Sequence, residues 1–337
     1  GARLLETITG FDYTTGLIIF CFIVILYTTF GGFRTIALTD AIQGVIMLIA
    51  AVCLVVRLNN IGGGMENIMR NIAEINPNLL RPDSGGNLPI PFLLSFWILV
   101  GVAILGLPQT TVKCMGFKDS KSMHNGMIIG TLVVGALMIL THLIGVMSIP
   151  LMPNLDIGDK LIPTISLKVL NPILVGVFIG GPLAAIMSTI DAMLILASAS
   201  IVKDIYINYI VKDKKPEEKK LKRISLFTTF LIGIIVFSLS LNPPKLLVYI
   251  NLFAFGGLEA SFLCPVLFGL YWKKANSTGA ILSMLTGVIS FIYLSYENIT
   301  IYKTHQIIPA ILISVIFFIL GSIFGKKEPD EKLKFFF

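Results

Sequence analysis

The sequence predicts an all-α protein that crosses a membrane many times. Three observations carry that expectation. Of 337 residues, 55% are hydrophobic and only 13% are charged, whereas soluble domains carry about 25% charged residues. The mean hydropathy is +0.88. The apolar runs are long enough for membrane helices rather than for the shorter strands of a barrel.

Taken in order, the apolar runs define nine spans. The first, 15–30, is short for a bilayer core of about 30 Å, which needs roughly 20 helical residues. The second, 39–56, opens on Asp40, a carboxylate favoured beside the positive end of a helix. The third, 91–107, is short again and carries Gly101, Gly106 and Pro108 toward its end. Glycine weakens a helix and proline removes a backbone donor. The residues therefore allow either a simple kink or a broken helix whose freed backbone groups line a cavity. The fourth span is 126–149 and the fifth 173–201. The sixth is 224–241. The seventh, 246–272, holds Gly256 and Gly257, which permit close helix approach, and Glu259 about halfway along. The eighth, 279–294, is short, and the ninth is 307–324. The connections 57–90 and 151–172 are expected outside, with short amphipathic helices, and 242–245 forms a tight turn.

Loop charge orients these spans. With 202–223 placed in the cytoplasm, alternation gathers 18 of the 26 basic residues on that side, as the positive-inside rule demands. They include Arg34, Lys113, Lys118 and Lys121, eight residues of the 202–223 loop, and the basic tail. The net charge of +7 thus belongs to loops between spans and does not signal nucleic-acid binding. The expectation is a multi-pass protein of the inner (plasma) membrane, with a transmembrane domain over 1–325 and a cytoplasmic tail over 326–337. An odd span count puts Gly1 outside, and no signal peptide is visible. The chain is therefore expected to be the C-terminal portion of a longer transporter. The four cysteines show neither a disulfide framework nor zinc-like spacing. Three scattered histidines, with His305 expected in a short external loop, argue against a membrane metalloenzyme.

The segment from Gly181 to Asp191 is the most informative. It places two hydroxyls and a carboxylate inside the fifth span, where polar atoms are expensive and usually face a bundle interior or a solute path. Ala185, Ser188 and Thr189 stand at i, i+3 and i+4, on one helical face. Two hydroxyl oxygens and a carbonyl suit a small hard cation. The same hydroxyls can instead bond back to the carbonyl one turn earlier. Glu259 is either a polar contact for a solute or a hydrogen-bonded structural residue.

The sequence resembles the sodium/solute symporter family along nearly its whole length. The segments that carry the resemblance are Tyr27-Thr-Thr-Phe-Gly-Gly-Phe-Arg34, Thr39-Asp-Ala-Ile-Gln43, Gly106-Leu-Pro108 and Ala185-Ile-Met-Ser-Thr189. It is strongest to members that carry pantothenate, through Ala2-Arg-Leu-Leu-Glu6, the stretch from Gly106 to Lys121, Asn251–Ala260 and Gly269–Trp272. The resemblance implies a LeuT-type inverted-repeat fold with its first three core helices outside this chain. It implies sodium as the coupling ion and no other cofactor. The sodium ligands would be the Ala185 carbonyl and the Ser188 and Thr189 hydroxyls, completed by carbonyls of the first core helix. Asp40, and Asp191 where the family usually has Asn or Ser, would mark an ion path. Trp97, Val100, Ile104 and Pro108 of the broken span, with Phe255 and Glu259, would contact the solute. Another organic acid or amino acid as solute, or a transporter-like sensor domain, are the competing functions.

Overall fold

In the computed structural model, regular structure is helical throughout, with no strand among the described residues. Those residues are 1–153, 155–212, 217–244 and 246–329, and the side chains at 31–37, 173 and 177 are also outside the description. The helices are α1 (Ala2–Thr9), α2 (Tyr13–Ile61), α3 (Met65–Ile75), α4 (Ile90–Trp97), α5 (Pro108–Cys114) and α6 (Ser120–Ser148). They continue as α7 (Leu161–Val169), α8 (Pro172–Ala199), α9 (Glu218–Leu239), α10 (Val248–Tyr271), α11 (Ser277–Tyr296) and α12 (Ile307–Phe324).

Among the described residues, eight segments are long and apolar enough to cross a membrane, and a ninth forms if the bent pair Ile90–Gly106 and Pro108–Cys114 is one span. These are the nine spans read from the sequence. Their ends differ in two informative places. The backbone stays helical from Tyr13 to Ile61, so α2 carries both of the first two spans, Tyr13–Phe30 and Leu38–Ile61. No proline falls between them to stop the helix. Arg34, expected in a cytoplasmic loop there, is among the side chains outside the description.

The second difference follows α8. Helical backbone runs on in π-form through Ser200–Val211, into the stretch expected to be a cytoplasmic loop. Lys203 is one of the basic residues that predict this loop, but a long basic side chain can sit on a helix and extend its charge to water. The helix stops where Lys212 takes a positive φ of 54°. Lys214 and Lys215 lie outside the described residues, as do Lys332 and Lys334 of the tail.

Packing divides the chain into two compact units. The first comprises Gly1–Ile75 with His124–Leu246, and the second Asn76–Met123 with the described residues from Leu247 onward. In the first unit, α8 lies against both spans of α2 and against α9. Gly181 permits a close approach of α8 to α2, since a Cβ there would stand 3.0 Å from the Ala50 Cβ and 3.5 Å from the Met47 Cα. A second core joins Leu54 and Leu58 of α2, Ile68 and Ile72 of α3, Ile144 and Met147 of α6, and Ile165 of α7. Buried Arg3 donates to the Asp159 carboxylate and to the Pro244 carbonyl. It ties α1 to the connections before α7 and after α9. Asp12 caps α2, accepting from the Thr15 hydroxyl at 2.6 Å and its N–H at 3.0 Å. Those bonds hold its carboxyl below the usual range.

The second unit is built on α10, α11 and α12. Little hydrophobic drive separates helix contact from lipid contact, so small residues and cross-helix hydrogen bonds decide the packing. A Cβ on Gly287 would stand 2.0 Å from the Ala260 carbonyl oxygen, and one on Gly321 would stand 2.8 Å from the Gly279 Cα. Ser283 and Ser314 hydrogen-bond across α11 and α12 at 2.8 Å. His305 sits in the connection before α12, but it is buried rather than open to water. Its ring lies edge-on to Phe92 at 5.7 Å and its Nδ1 accepts from the Ile307 N–H. Burial holds its pKa below the ordinary histidine value.

Candidate functional site

The Gly181–Asp191 segment occupies the middle of α8. Pro182 sits inside that helix, so the carbonyl four residues earlier lacks its helical donor. Two turns on, Thr189 donates its hydroxyl to the Ala185 carbonyl at 3.1 Å. This is the local back-bond that the sequence had left open against a ligand role. It also shows that the two oxygens converge on one spot. Thr189 is exposed, and Ala185 and Ser188 are half-buried. The face with these oxygens is therefore open in this chain, and a bare cation there would need further donors from another element.

Toward the N-terminal end of α8 the same face lines an apolar groove. Leu174 and Phe178 stand eleven and seven residues before Ala185, close to whole helical turns. Together with Ile46, Ile49 and Cys53 of α2 they enclose about 400 Å³, with Arg57 and Asn60 at one end. Arg57 is anchored through its Nε to the Val169 carbonyl at 3.0 Å.

Asp191 is fully buried. Its Oδ1 accepts from the Thr28 hydroxyl at 2.5 Å and its Oδ2 from the Tyr27 hydroxyl. Two hydroxyl donors supply the compensation that a carboxylate needs away from water. Asp40, half-buried at the start of the second span of α2, lies within electrostatic range of Tyr27. The Gln43 Oε1 and Thr29 Oγ1 are also buried with no hydrogen-bond partner. The structure thus joins Asp191, Tyr27 and Thr28, with Asp40 nearby. The motif from Tyr27 to Arg34 was noted in the sequence, but its tie to Asp191 was not. A contact across more than 160 residues leaves no local periodicity to read.

The third span is broken. α4 passes at Ile98 into a π-helical turn through Val102, then a 3₁₀ turn over Ala103–Gly106. Leu107 is extended at φ −79°, ψ 115°, as a residue before proline should be. Pro108 then starts α5, bent by 52° from the preceding segment. Gly106 fits closely against α10: a Cβ would meet the Leu263 N at 2.7 Å and the Glu259 carbonyl oxygen at 3.0 Å. The break and Glu259 therefore belong to one cluster. Glu259 is only 1% exposed, and its Oε2 is buried without a partner. Val100 packs against the nearby core of Leu99, Ala260 and Phe291. Phe255 is half-buried on α10 and Pro108 half-buried at the bend. Trp97 and Ile104 stand apart from this group, with Trp97 75% exposed.

A chain of apolar spans, one broken partway along and another bearing an open hydroxyl face, defines a multi-pass membrane transporter. The chain belongs to the sodium:solute symporter family, whose sequence pattern matches residues 1–287. It is 44% identical over 332 residues to the sodium/pantothenate symporter of Haemophilus influenzae, covering 98% of this chain and 68% of that protein. It is 43% identical over 331 residues to the sodium/pantothenate symporter of Escherichia coli K12, with the same coverage. Among solved structures, it matches a Na⁺-coupled sialic acid symporter in a substrate-bound outward-open state. There the TM-score is 0.75 at 18% identity, over 96% of this chain and 70% of that one. The fold is accordingly the LeuT-like fold expected from the sequence.

Proposed function

We propose that this protein imports pantothenate by sodium-coupled symport, working through alternating access in the plasma membrane with its C-terminus in the cytoplasm. The observation that carries the solute is the 44% identity to a sodium/pantothenate symporter along 98% of the chain. Sodium is held on α8 by the Ala185 carbonyl and the Ser188 and Thr189 hydroxyls, once Thr189 turns from its back-bond toward the ion. Further oxygens come from an element that closes over this open face. Asp40 offers a carboxylate along the route to the cytoplasm. Coupling requires each solute to bind one state of the cycle more tightly than the other.

The solute lies against the broken span and α10. Val100 and Pro108 present an apolar wall suited to the gem-dimethyl part of pantothenate, with Phe255 as a further apolar contact; Trp97 and Ile104, exposed and apart from this cluster, are left out of it. The Glu259 carboxyl takes a hydrogen bond from a hydroxyl or amide of the solute. Its partnerless, buried Oε2 supports this role, because a buried acceptor without a donor costs about 1–3 kcal/mol until one arrives. A sugar would need many more buried polar partners than this wall supplies.

The test is uptake of radiolabelled pantothenate into proteoliposomes with an imposed sodium gradient. Accumulation that requires the gradient and is not competed by galactose or proline is the expected result. Uptake of another organic acid or an amino acid instead, with none of pantothenate, would refute the solute while leaving the family in place. Ligand binding with no transport of any solute would point to a sensor.

A further inference from the structure

We propose that Asp191 is a positioning residue for the sodium site: its carboxylate, clamped by Tyr27 and Thr28, fixes the rotation of α8 and so aims the Ser188 and Thr189 hydroxyls. The inference rests on the sodium reading of those hydroxyls given above, and it assigns them a support.

The geometry starts from the helix. At 3.6 residues per turn, Asp191 stands about 60° around the axis from Ser188 and one turn further along. It occupies the flank beside the hydroxyl face. On that flank both of its oxygens are taken, Oδ1 by Thr28 and Oδ2 by Tyr27. Both donors belong to the first span of α2. The second span of α2 meets α8 elsewhere, at the glycine contact of Gly181 with Ala50 and Met47. Those two points are ten residues apart, about 15 Å along the axis. One limits how closely α8 packs. The other, directional and hydrogen-bonded, limits how it turns.

Such a constraint matters for ion binding. A hydroxyl about 5–6 Å from a helix axis moves about 1 Å when the helix turns by about 10°. Hard cations hold oxygens at about 2.4 Å, so a shift of that size removes a ligand. Three consequences follow. A clamp made of hydroxyl donors tolerates a neutral amide at 191, whose oxygen accepts from one hydroxyl while its N–H₂ donates to the other. It does not tolerate leucine. Deleting the donors on α2 acts on the ion although neither residue touches it.

The experiment measures the half-saturating sodium concentration for uptake, and separately the half-saturating solute concentration at saturating sodium. It uses Tyr27→Phe, Thr28→Val, their double variant, Asp191→Asn and Asp191→Leu. The ring and branched shape survive in the first two, so packing is kept while the hydrogen bond is lost. Each single α2 variant is expected to raise half-saturating sodium several-fold, and the double variant and Asp191→Leu about tenfold. Asp191→Asn should stay within about threefold of the unchanged protein. The solute constant at saturating sodium should not move. Sodium constants unchanged in Tyr27→Phe and Thr28→Val would overturn the proposal, whatever happens to expression or maximal rate. So would an Asp191→Asn variant as impaired as Asp191→Leu, because charge rather than hydrogen bonding would then be the active property. Sodium-independent uptake by the unmodified protein would refute the sodium reading itself, a result distinct from either.

Discussion

Thr189 illustrates how a hydroxyl can be satisfied within its own helix and still be a candidate ion ligand. The Thr189 hydroxyl is already bonded to the Ala185 carbonyl at 3.1 Å. Sodium would therefore displace a modest local bond, not fill an empty cage. Ser188→Ala or Thr189→Ala should weaken sodium activation by about 1–3 kcal/mol, the cost of losing one polar partner in a buried site. Half-saturating sodium should rise accordingly while the amount of protein in the membrane stays constant, as measured by quantitative blotting alongside uptake. An unchanged sodium constant in both variants would remove these hydroxyls from the site. The spacing Ala185, Ser188, Thr189 was legible because i, i+3 and i+4 share a face whatever the surroundings. The burial of Asp191 was not legible, since its two donors lie on another helix. The same applies to His305. A polar residue in a short connection reads as solvated until Phe92 and Phe291 are seen packed around it.

At the scale of elements, contact between helices is set by residues with no side chain. Gly287 lies so close to α10 that even a methyl group would overlap the Ala260 carbonyl oxygen. Gly287→Ala should therefore push α11 from α10 and lower thermal stability in detergent, with a cost of about 1–3 kcal/mol as in other overpacked interiors. Gly269→Ala is the control. Nothing lies within 4 Å of that position, so the better helix former should stabilise α10 by up to about 1 kcal/mol. Equal melting temperatures for the two variants would contradict this account of the packing. Span existence was readable from apolar length, whereas Gly101, Gly106 and Pro108 marked an interruption without deciding between a kink and a break. Helix ends were less readable. The basic residues of 202–223 predict a loop from position 202, yet Ile201, Ile205 and Ile210 continue an apolar pattern along the helical run Ser200–Val211. Charge near a membrane surface marks depth better than it marks the end of a helix.

For the whole molecule, orientation is the property that a thiol already present can test. Cys114 is exposed at the end of α5, among Lys113 and Lys118; Cys53 of α2 is exposed too, so a Cys53→Ser background isolates Cys114, with Cys264 buried and Cys21 half-buried. If the basic connections face the cytoplasm, a membrane-impermeant maleimide should modify Cys114 in inside-out vesicles and not in intact cells. Labelling from the outside would invert the proposed topology. The division into two units has a consequence for synthesis. The stretch Asn76–Met123 leaves the ribosome well before the helices it packs with, because the whole of His124–Leu246 is made in between. At about 5–20 residues per second that interval lasts about 6–25 s. Throughout it, the broken segment around Gly106 has no α10 to lie against, and its freed backbone groups have no protein partner in the bilayer. Newly made chains therefore pass through a stage in which this segment must be sheltered by the insertion machinery. Anything that slows elongation across the intervening stretch lengthens its exposure to membrane proteases.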